Sequence, residues 1–451
     1  MVNAGSIIFL AAAVFGLIAV LLARSGHLGR EHLVGIDLGT TYSVVAVNRK
    51  GNVTVMPDSD GNLLLPSIVA FKPGGGAVLF DFFVSRAPDI LVGRDARRYR
   101  NIDPKHTIFN AKRFIGRKFD ESVQAEAPVY RYSLQANATD DNVCFGLSLA
   151  GHPSCVSPIA IGYHVVRTLK ETAQKFLGHD QIYGAVIAIP AGFDAFQRKA
   201  TIAAFEAAGL KVSNVLVEPT AAALAYGLHT KPNVQYVLVF DFGGGTLDVS
   251  LLYLQKGSFQ VMDTAGDNHL GGNWTMQLAA WHETMNLLGE DLDDILTKHL
   301  KDHFGSILGE ELPDSQTTEE SSVFPCTAGG IRGAAELLKR QLSFELEAEA
   351  SCVVQHAIGS FSVGDTLRLI MSRTEWEELM LPTLQRTMAP IEEILDGNMM
   401  TSKDIDEVVL VGGSSRIPWI QNHLAVMFGR PPNSHIDPDI AVAVGAARLA
   451  H

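Results

Sequence analysis

The sequence predicts an α/β fold of two lobes facing one cleft. The first ground is a turn of small residues, headed by an aspartate, that occurs twice. One copy reads Val34-Gly35-Ile36-Asp37-Leu38-Gly39-Thr40-Thr41-Tyr42, the other Val239-Phe240-Asp241-Phe242-Gly243-Gly244-Gly245-Thr246-Leu247-Asp248. Each follows an apolar run and precedes an alternating one (Ser43-Val44-Val45-Ala46-Val47; Val249-Ser250-Leu251-Leu252), the pattern of a β-hairpin. The second ground is the interleaving of helix and strand patterns, which implies a sheet covered by helices. The third is length, since 451 residues exceed one ordinary core. A turn of small residues turns several backbone N–H groups toward one anion, and glycine lets the backbone approach phosphate closely. An aspartate at the strand end can hold a divalent cation beside it, directly or through water. Two such hairpins imply a polyphosphate and its Mg2+ clamped from both sides, which is a nucleotide site.

Element by element, strand patterns run from residue 33 to about 83, broken at Lys50-Gly51-Asn52 and Asp60-Gly61-Asn62. Helical patterns follow around 103–118, then a polar hairpin region over roughly 127–158. Residues 159–177 read as helix, 184–189 as an apolar strand, 194–208 as helix and Val215-Leu216-Val217 as strand. The segment 218–227 has Pro219 in its first turn and Gly227 past its end, the asymmetry of a capped helix. The second turn at Asp241 opens another such unit. Within it, 305–330 is poor in apolar residues and carries an acidic and Ser/Thr cluster over 314–322, the composition of an exposed, mobile insertion. A helix over 331–344 comes next. Val408-Val409-Leu410-Val411-Gly412-Gly413-Ser414-Ser415-Arg416 is an apolar strand ending in a glycine turn, and 440–449 is a closing helix of small residues.

Composition excludes some functions. A net charge of −13 without a dense basic stripe argues against nucleic acid as a partner. No Walker P-loop, Ser-His-Asp arrangement or zinc spacing is present. Residues 7–23 form an uncharged apolar run, short for a spanning helix and close to a secretory h-region. Ala23-Arg24-Ser25 offers small residues where a signal peptidase reads, while Arg24 and Arg30 behind the run suit an uncleaved anchor. Residues 1–25 are therefore a signal peptide or an N-terminal membrane anchor. Both readings imply the secretory pathway or its membranes. Four cysteines are few for this length and imply no disulfide framework; Cys144 and Cys155 flank one hairpin, either as a disulfide in an oxidising lumen or as two buried thiols. N-glycosylation sequons occur at Asn52, Asn137 and Asn273, and Asn137, in a polar stretch, is the acceptor expected of the three.

The motifs resemble the ATPase half of the Hsp70 chaperones, a family of the actin-like superfold. Gly35 to Ser43, Ala111-Lys112-Arg113-Phe114-Ile115-Gly116-Arg117, Glu218-Pro219-Thr220-Ala221-Ala222-Ala223, Asp241 to Thr246 and Gly412 to Pro418 stand in the family's order, over a match that runs from residue 33 to the end. The nearest likeness is to the microsomal, ATPase-core branch, with a hydrophobic leader and no linker or substrate-binding domain after the ATPase half. The resemblance implies an actin-like nucleotide-binding fold: lobe I over 33–232, lobe II over 233–430 with the acidic insertion near 305–330, and a C-terminal helix, 431–451, returning to lobe I. It implies ATP or ADP with Mg2+, K+ as a candidate further cation, and slow hydrolysis in a chaperone-related role with protein partners that the residues do not name.

Roles carry over residue by residue. Asp37, Asp241 and Asp248 would organise Mg2+, mainly through water. Gly39, Thr40, Thr41, Gly243, Gly244, Gly245 and Thr246 would cradle the β- and γ-phosphates. In phosphoryl transfer placement and charge neutralisation dominate. Lys112 would stand beside the γ-phosphate and Glu218 would orient water or the metal's shell, in a relay with Pro190 and Arg198; by its residues alone, Lys112 is one of four basic positions on a solvated helix. Glu336, Lys339, Arg340 and Ser343 fall at i, i+3, i+4 and i+7, a single helix face that is solvated by default and sandwiches adenine in the family. Gly412, Gly413, Ser414, Arg416 and Asp439 would form the opposite wall.

The chain also departs from the family pattern. His269-Leu270-Gly271-Gly272-Asn273-Trp274 lacks two carboxylates that the family carries there. Asn214 and Val217 replace the family's arginine and asparagine at the J-protein contact, which implies weak J-protein stimulation or none. The alternative to an ATPase is a nucleotide-dependent interaction module with little turnover.

Overall fold

The computed structural model describes residues 14–16, 32–72, 77–80, 83–86, 89–100, 102–149, 152–244, 246–266, 289–309, 311–312, 324–357 and 360–450. Gly245, the 269–274 motif, the acidic cluster at 314–322 and all of the apolar leader but residues 14–16 lie outside the described residues. Among the described residues, no helix is long and apolar enough to cross a membrane.

The first Asp-Gly-Thr segment is a hairpin, β1 (Leu33–Asp37) and β2 (Tyr42–Arg49), extended by β3 (Asn52–Val55), with short β4 (Leu65–Pro66) also on β2. Four strands follow, β5 (Val69–Lys72), β6 (Ala77–Phe80), β7 (Phe83–Arg86) and β8 (Asp89–Val92), then helix α1 (Arg94–Tyr99) and strand β9 (Thr107–Ile108); β5 pairs with β8 and β9, and β6 with β7. The helix expected over 103–118 is not formed. Pro104 and a left-handed Asn110 (φ 57°) divide that stretch into two short 3-10 turns, Pro104–His106 and Ala111–Phe114. Helix α2 (Glu121–Glu126) leads into a three-stranded meander of β10 (Ser133–Ala136), β11 (Val143–Leu149) and β12 (His152–Val156).

The alternation read from the sequence follows. Helix α3 (Pro158–Leu177) is capped by Ser157, has proline at its first position and stops at left-handed Gly178. Strand β13 (Gly184–Ile189) is buried along its whole length and lies parallel between β1 and β14 (Lys211–Val217), as its unbroken apolar run requires. Helix α4 (Ala195–Ala207) carries an Asp194/Gln197 capping box. Helix α5 (Glu218–Ala225) begins on Glu218 itself.

The second copy repeats the plan. Strands β15 (Tyr236–Phe242) and β16 (Leu247–Gln255) form a hairpin, β17 (Ser258–Gly266) pairs on one side, and β21 (Glu407–Val411) runs parallel to β15 on the other, as β13 does to β1. Between them lie α6 (Gly289–Leu308), β18 (Phe324–Pro325), α7 (Ala328–Leu342), β19 (Glu347–Val353), β20 (Thr366–Ser372), α8 (Arg373–Arg386) and α9 (Ala389–Gly397). The described flanks of the 305–330 segment are therefore regular: the end of α6, then β18 and the start of α7. After β21 come α10 (Pro418–Phe428) and α11 (Ala441–Arg448).

Each sheet has its own apolar core, around Phe114, Phe145 and Phe205 in the first and Phe240, Trp376 and Phe304 in the second. Helix α11 wedges between β1 and α5. A Cβ on Gly35 would sit 2.2 Å from the Ala447 nitrogen, and one on Gly445 1.7 Å from the Ala221 carbonyl oxygen, so only glycine permits this approach. One expectation is corrected outright. All four cysteines pair, Cys144 with Cys155 and Cys326 with Cys352, so the chain does carry a disulfide framework. The first bridge ties β11 to β12 and the second ties the approach of α7 to β19.

Candidate nucleotide site

The two glycine turns meet. A Cβ on Gly244 would lie 2.8 Å from Thr41 Oγ1, so the loop after β15 abuts the loop after β1. Ser67 Oγ donates to the Gly39 carbonyl at 2.8 Å and braces the first loop; the Gly243 N–H donates to the Thr246 carbonyl at 3.0 Å and closes the second. Thr40 lies within the first loop. Among the described residues, nothing forms a hydrogen bond with the buried Thr41 Oγ1. A buried hydroxyl left unpaired is costly, and between two loops of small residues it marks a place for a polar ligand.

Behind the loops the carboxylates converge. Asp37 ends β1, while Asp241 on β15 pairs in register with Asp248 on β16. Burial pushes the Asp37 carboxyl up to about 7, against the pull of Lys112 and with a further push from Glu218. Burial also raises Asp241 well above the carboxylate range, and Glu218, Asp248 and Asp37 add to it while Lys112 opposes. Lys112 Nζ donates to Glu218 Oε1 at 2.5 Å, a nearly buried pair. Burial alone would lower the Lys112 pKa, but Glu218, Asp37 and Asp241 together hold it above its ordinary value, so it is a fixed cation among acids. The basic positions at 112–118 thus divide: Lys112 turns inward to Glu218, whereas Arg117 pairs with buried Glu126 at 3.1 Å. Among the described residues, no three His, Cys, Asp or Glu side chains stand where they could ligate a metal together.

The predicted helix face lies on α7, beginning three residues earlier than expected. Glu336 is bridged to Arg97 on α1, whose guanidinium also donates to the Tyr42 hydroxyl at 2.7 Å. Burial would raise the Glu336 carboxyl, yet Arg97, Lys339 and Arg340 pull it below the usual range. Lys339 Nζ is held by Asp293 of α6 at 2.7 Å, and Ser343 Oγ donates back to the Lys339 carbonyl. On the opposite wall, Gly412 is left-handed (φ 76°) and a Cβ there would meet the Phe242 backbone at 2.5 Å. Ser414 Oγ donates to the Gly243 carbonyl at 3.0 Å. Arg416 is gripped by Asp437 and by Asp439 at 3.1 Å. Burial raises Asp439, and both Arg416 and Arg340 oppose that rise, so α7 and the 412–416 turn act on a common space.

The structure therefore draws Lys112, Glu218, Asp37, Asp241, Asp248 and the two glycine loops into one group, and the α7 face with the 412–439 wall into an adjoining one. Arg97 and Tyr42 were not expected at the site. Tyr42 sits in a quoted motif, but nothing in the basic run around Arg97 signals a partner on α7. These residues suit a Mg-nucleotide: a cradle that a Cβ would fill, an orphaned hydroxyl and crowded buried carboxylates needing a cation.

Comparison with known proteins gives the family. The family model described as Hsp70 protein matches residues 33–451. The chaperone protein dnaK of Cyanidioschyzon merolae (strain NIES-3377 / 10D) is 37% identical over 418 residues, covering 92% of this chain. The chain spans 61% of that relative's length. With the actin-like α/β architecture already described, these matches establish that the chain belongs to the Hsp70 family.

Proposed function

We propose that this chain binds Mg-ATP between its two hairpins and hydrolyses it slowly, in a chaperone-related role. The observation that carries the reading is the buried Lys112–Glu218 pair set among Asp37 and Asp241 behind two touching glycine loops. Gly39, Thr40, Thr41, Gly243, Gly244 and Thr246 would hold the phosphates, with Gly245 completing the second turn. Asp37, Asp241 and Asp248 would hold Mg2+ through its waters, and the ion would supply charge neutralisation at the phosphates. Lys112 keeps its proton and offers a fixed positive charge where negative charge grows, while Glu218 orients a water by accepting its proton in a hydrogen bond. Arg340, Arg416 and the glycines at 412 and 413 would flank the purine.

A second reading has its own support. The Arg97–Glu336 bridge joins α1 to α7 across the group, so nucleotide occupancy could set how the two halves meet, with turnover incidental. Single-turnover hydrolysis by the purified chain, with calorimetry of ATP, ADP and GTP, separates the two. Release of phosphate from bound ATP is expected, with little affinity for GTP. Binding without release would leave the interaction module, and equal binding of GTP and ATP would overturn the purine assignment.

The chain is further proposed to act in the endoplasmic reticulum or on its membranes, as the microsomal ATPase-core type of the family. The apolar run at 7–23 and the two disulfides support that location, because cytosolic thiols stay reduced.

A further inference from the structure

Among the three sequons, one is built into a loop that offers both of its recognition groups together. Asn137 opens the turn between β10 and β11, with Ala138 and Thr139 exposed beside it. Its Oδ1 accepts from the Thr139 N–H at 3.0 Å and from Thr139 Oγ1 at 2.9 Å, while Nδ2 bonds to no described residue. The backbone fixes the same loop: the Asn137 N–H donates to the Asn142 carbonyl at 2.8 Å, and left-handed Asp141 donates back to the Asn137 carbonyl at 3.0 Å. Leu134, Val143, Phe145 and Leu147 of the same meander are buried in the first core, so a large group on the loop would displace no packing. The Cys144–Cys155 bridge, which begins on the strand that follows this loop, is of a kind that persists in an oxidising environment, in keeping with the location proposed above.

Asn52 differs. It follows the tight Lys50-Gly51 turn and pairs with Arg49, while Thr54 is already in the ladder opposite Val47. Extended backbone there holds amide and hydroxyl apart, and among the described residues no hydrogen bond joins them. Asn273 lies outside the described residues.

We propose that Asn137 is an N-glycan acceptor, taking its sugar from a lipid-pyrophosphate-linked oligosaccharide. This rests on the secretory location proposed above. Asn137 Nδ2 forms a bond to the anomeric carbon of the first sugar and gives up one proton. The bond from that carbon to the pyrophosphate oxygen breaks, and the lipid pyrophosphate leaves with the electron pair. Nothing is oxidised or reduced.

The full chain, expressed in secretory cells, tests this by its mobility shift on enzymatic removal of N-glycans. The shift should vanish completely in Asn137→Gln and Thr139→Ala, persist in Thr139→Ser, and be unchanged in Asn52→Gln. The peptide carrying residue 137 should emerge as aspartate after glycan release. Alkylation before and after reduction reports the disulfides of the same sample. A chain with both disulfides formed but no glycan would overturn the site and leave the location standing. Free thiols throughout, with the chain open to external protease, would overturn location and site together. A shift that survives Asn137→Gln, or is lost in Asn52→Gln, would also overturn the assignment.

Discussion

At the scale of the residue, Lys112 shows what sequence reading reaches and where it stops. By itself it belongs to a basic run that reads as a solvated helix. The run instead breaks at left-handed Asn110, and a single 3-10 turn points Lys112 at Glu218, more than a hundred positions away in sequence. Local pattern carries no trace of such a contact; resemblance to a family put each residue near the nucleotide but did not supply their pairing. If the buried cation stabilises departing phosphate, Lys112→Ala should lower hydrolysis by roughly 10²–10³-fold, the loss typical of one aimed electrostatic group, while nucleotide affinity changes little. Wild-type turnover no faster than that of the variant would leave only the binding module. Asp37 makes a separate prediction. Its carboxyl stands at about 7 in the folded chain against 3.8 ordinarily, so between those values the folded state binds more protons than the unfolded one. Stability of the metal-free protein should therefore fall as pH rises from about 4 to about 7 and level off above. Asp37→Asn removes that component. Melting temperatures of the two proteins across this range should converge at the acid end and separate in the variant's favour toward neutrality; parallel curves would sink the idea.

At the scale of the element, the legible pieces were those whose own residues decide them. Strand β13 announces itself by six small and apolar residues, and α3 and α4 by their caps at Ser157 and Asp194. The hairpins at Asp37 and Asp241 follow from alternation around a glycine turn. What was not legible depended on pairing across distance: the short turns at 104–114, the Lys339–Asp293 and Glu336–Arg97 partners, and above all the second disulfide, Cys326–Cys352. Spacing cannot give connectivity, and Cys326 and Cys352 lie 26 residues apart across a helix. That bridge has a consequence for α7. Cys326 is followed by Thr327, which caps the helix, and the Cys326 N–H donates to the Val353 carbonyl at 2.9 Å. Gly330 and Gly333 bring the first turns against Pro325 and Phe324 with no room for a Cβ. The entry to the helix bearing Glu336 and Arg340 is thus pinned to β19. Replacing both Cys326 and Cys352 by serine should cost about 2–4 kcal/mol of stability by releasing that loop. It should also erode the preference for ATP over GTP. Replacing Cys144 and Cys155 in the same way should lower stability without touching that preference, because their meander lies away from α7. Calorimetry of both double variants with both nucleotides decides this; equal loss of selectivity in the two would mean general loosening.

At the scale of the whole molecule, two copies of a hairpin with a parallel strand beside it, β1-β2-β13 and β15-β16-β21, face each other with α5 and α11 locked between them at Gly445 and Ala221. In such a body the outer strand of the first sheet would be a route from nucleotide to partner under the proposed function, because β14 leads directly into α5, whose first residue is Glu218. Strand β14 forms one edge of its sheet, and Asn214 on it is exposed. Resemblance to the family implies an arginine at that position and an asparagine at Val217 as the J-protein contact. Here the Asn214 side chain folds back to accept from the Val215 N–H at 2.8 Å, and Val217 offers no hydrogen bond from its side chain. A charged hydrogen-bonded contact contributes about 1.5–3 kcal/mol, so its loss lowers coupling between partner and nucleotide site by roughly an order of magnitude or more. Steady-state hydrolysis with and without a J-domain should therefore show little stimulation. Asn214→Arg should recover part of it if the edge strand is the contact, while basal hydrolysis stays as it was. Stimulation of the unmodified chain equal to that of a full-length Hsp70 would show that a surface other than 214–217 carries the signal. In that case the β14–α5 junction would be a structural continuation of the sheet and nothing more.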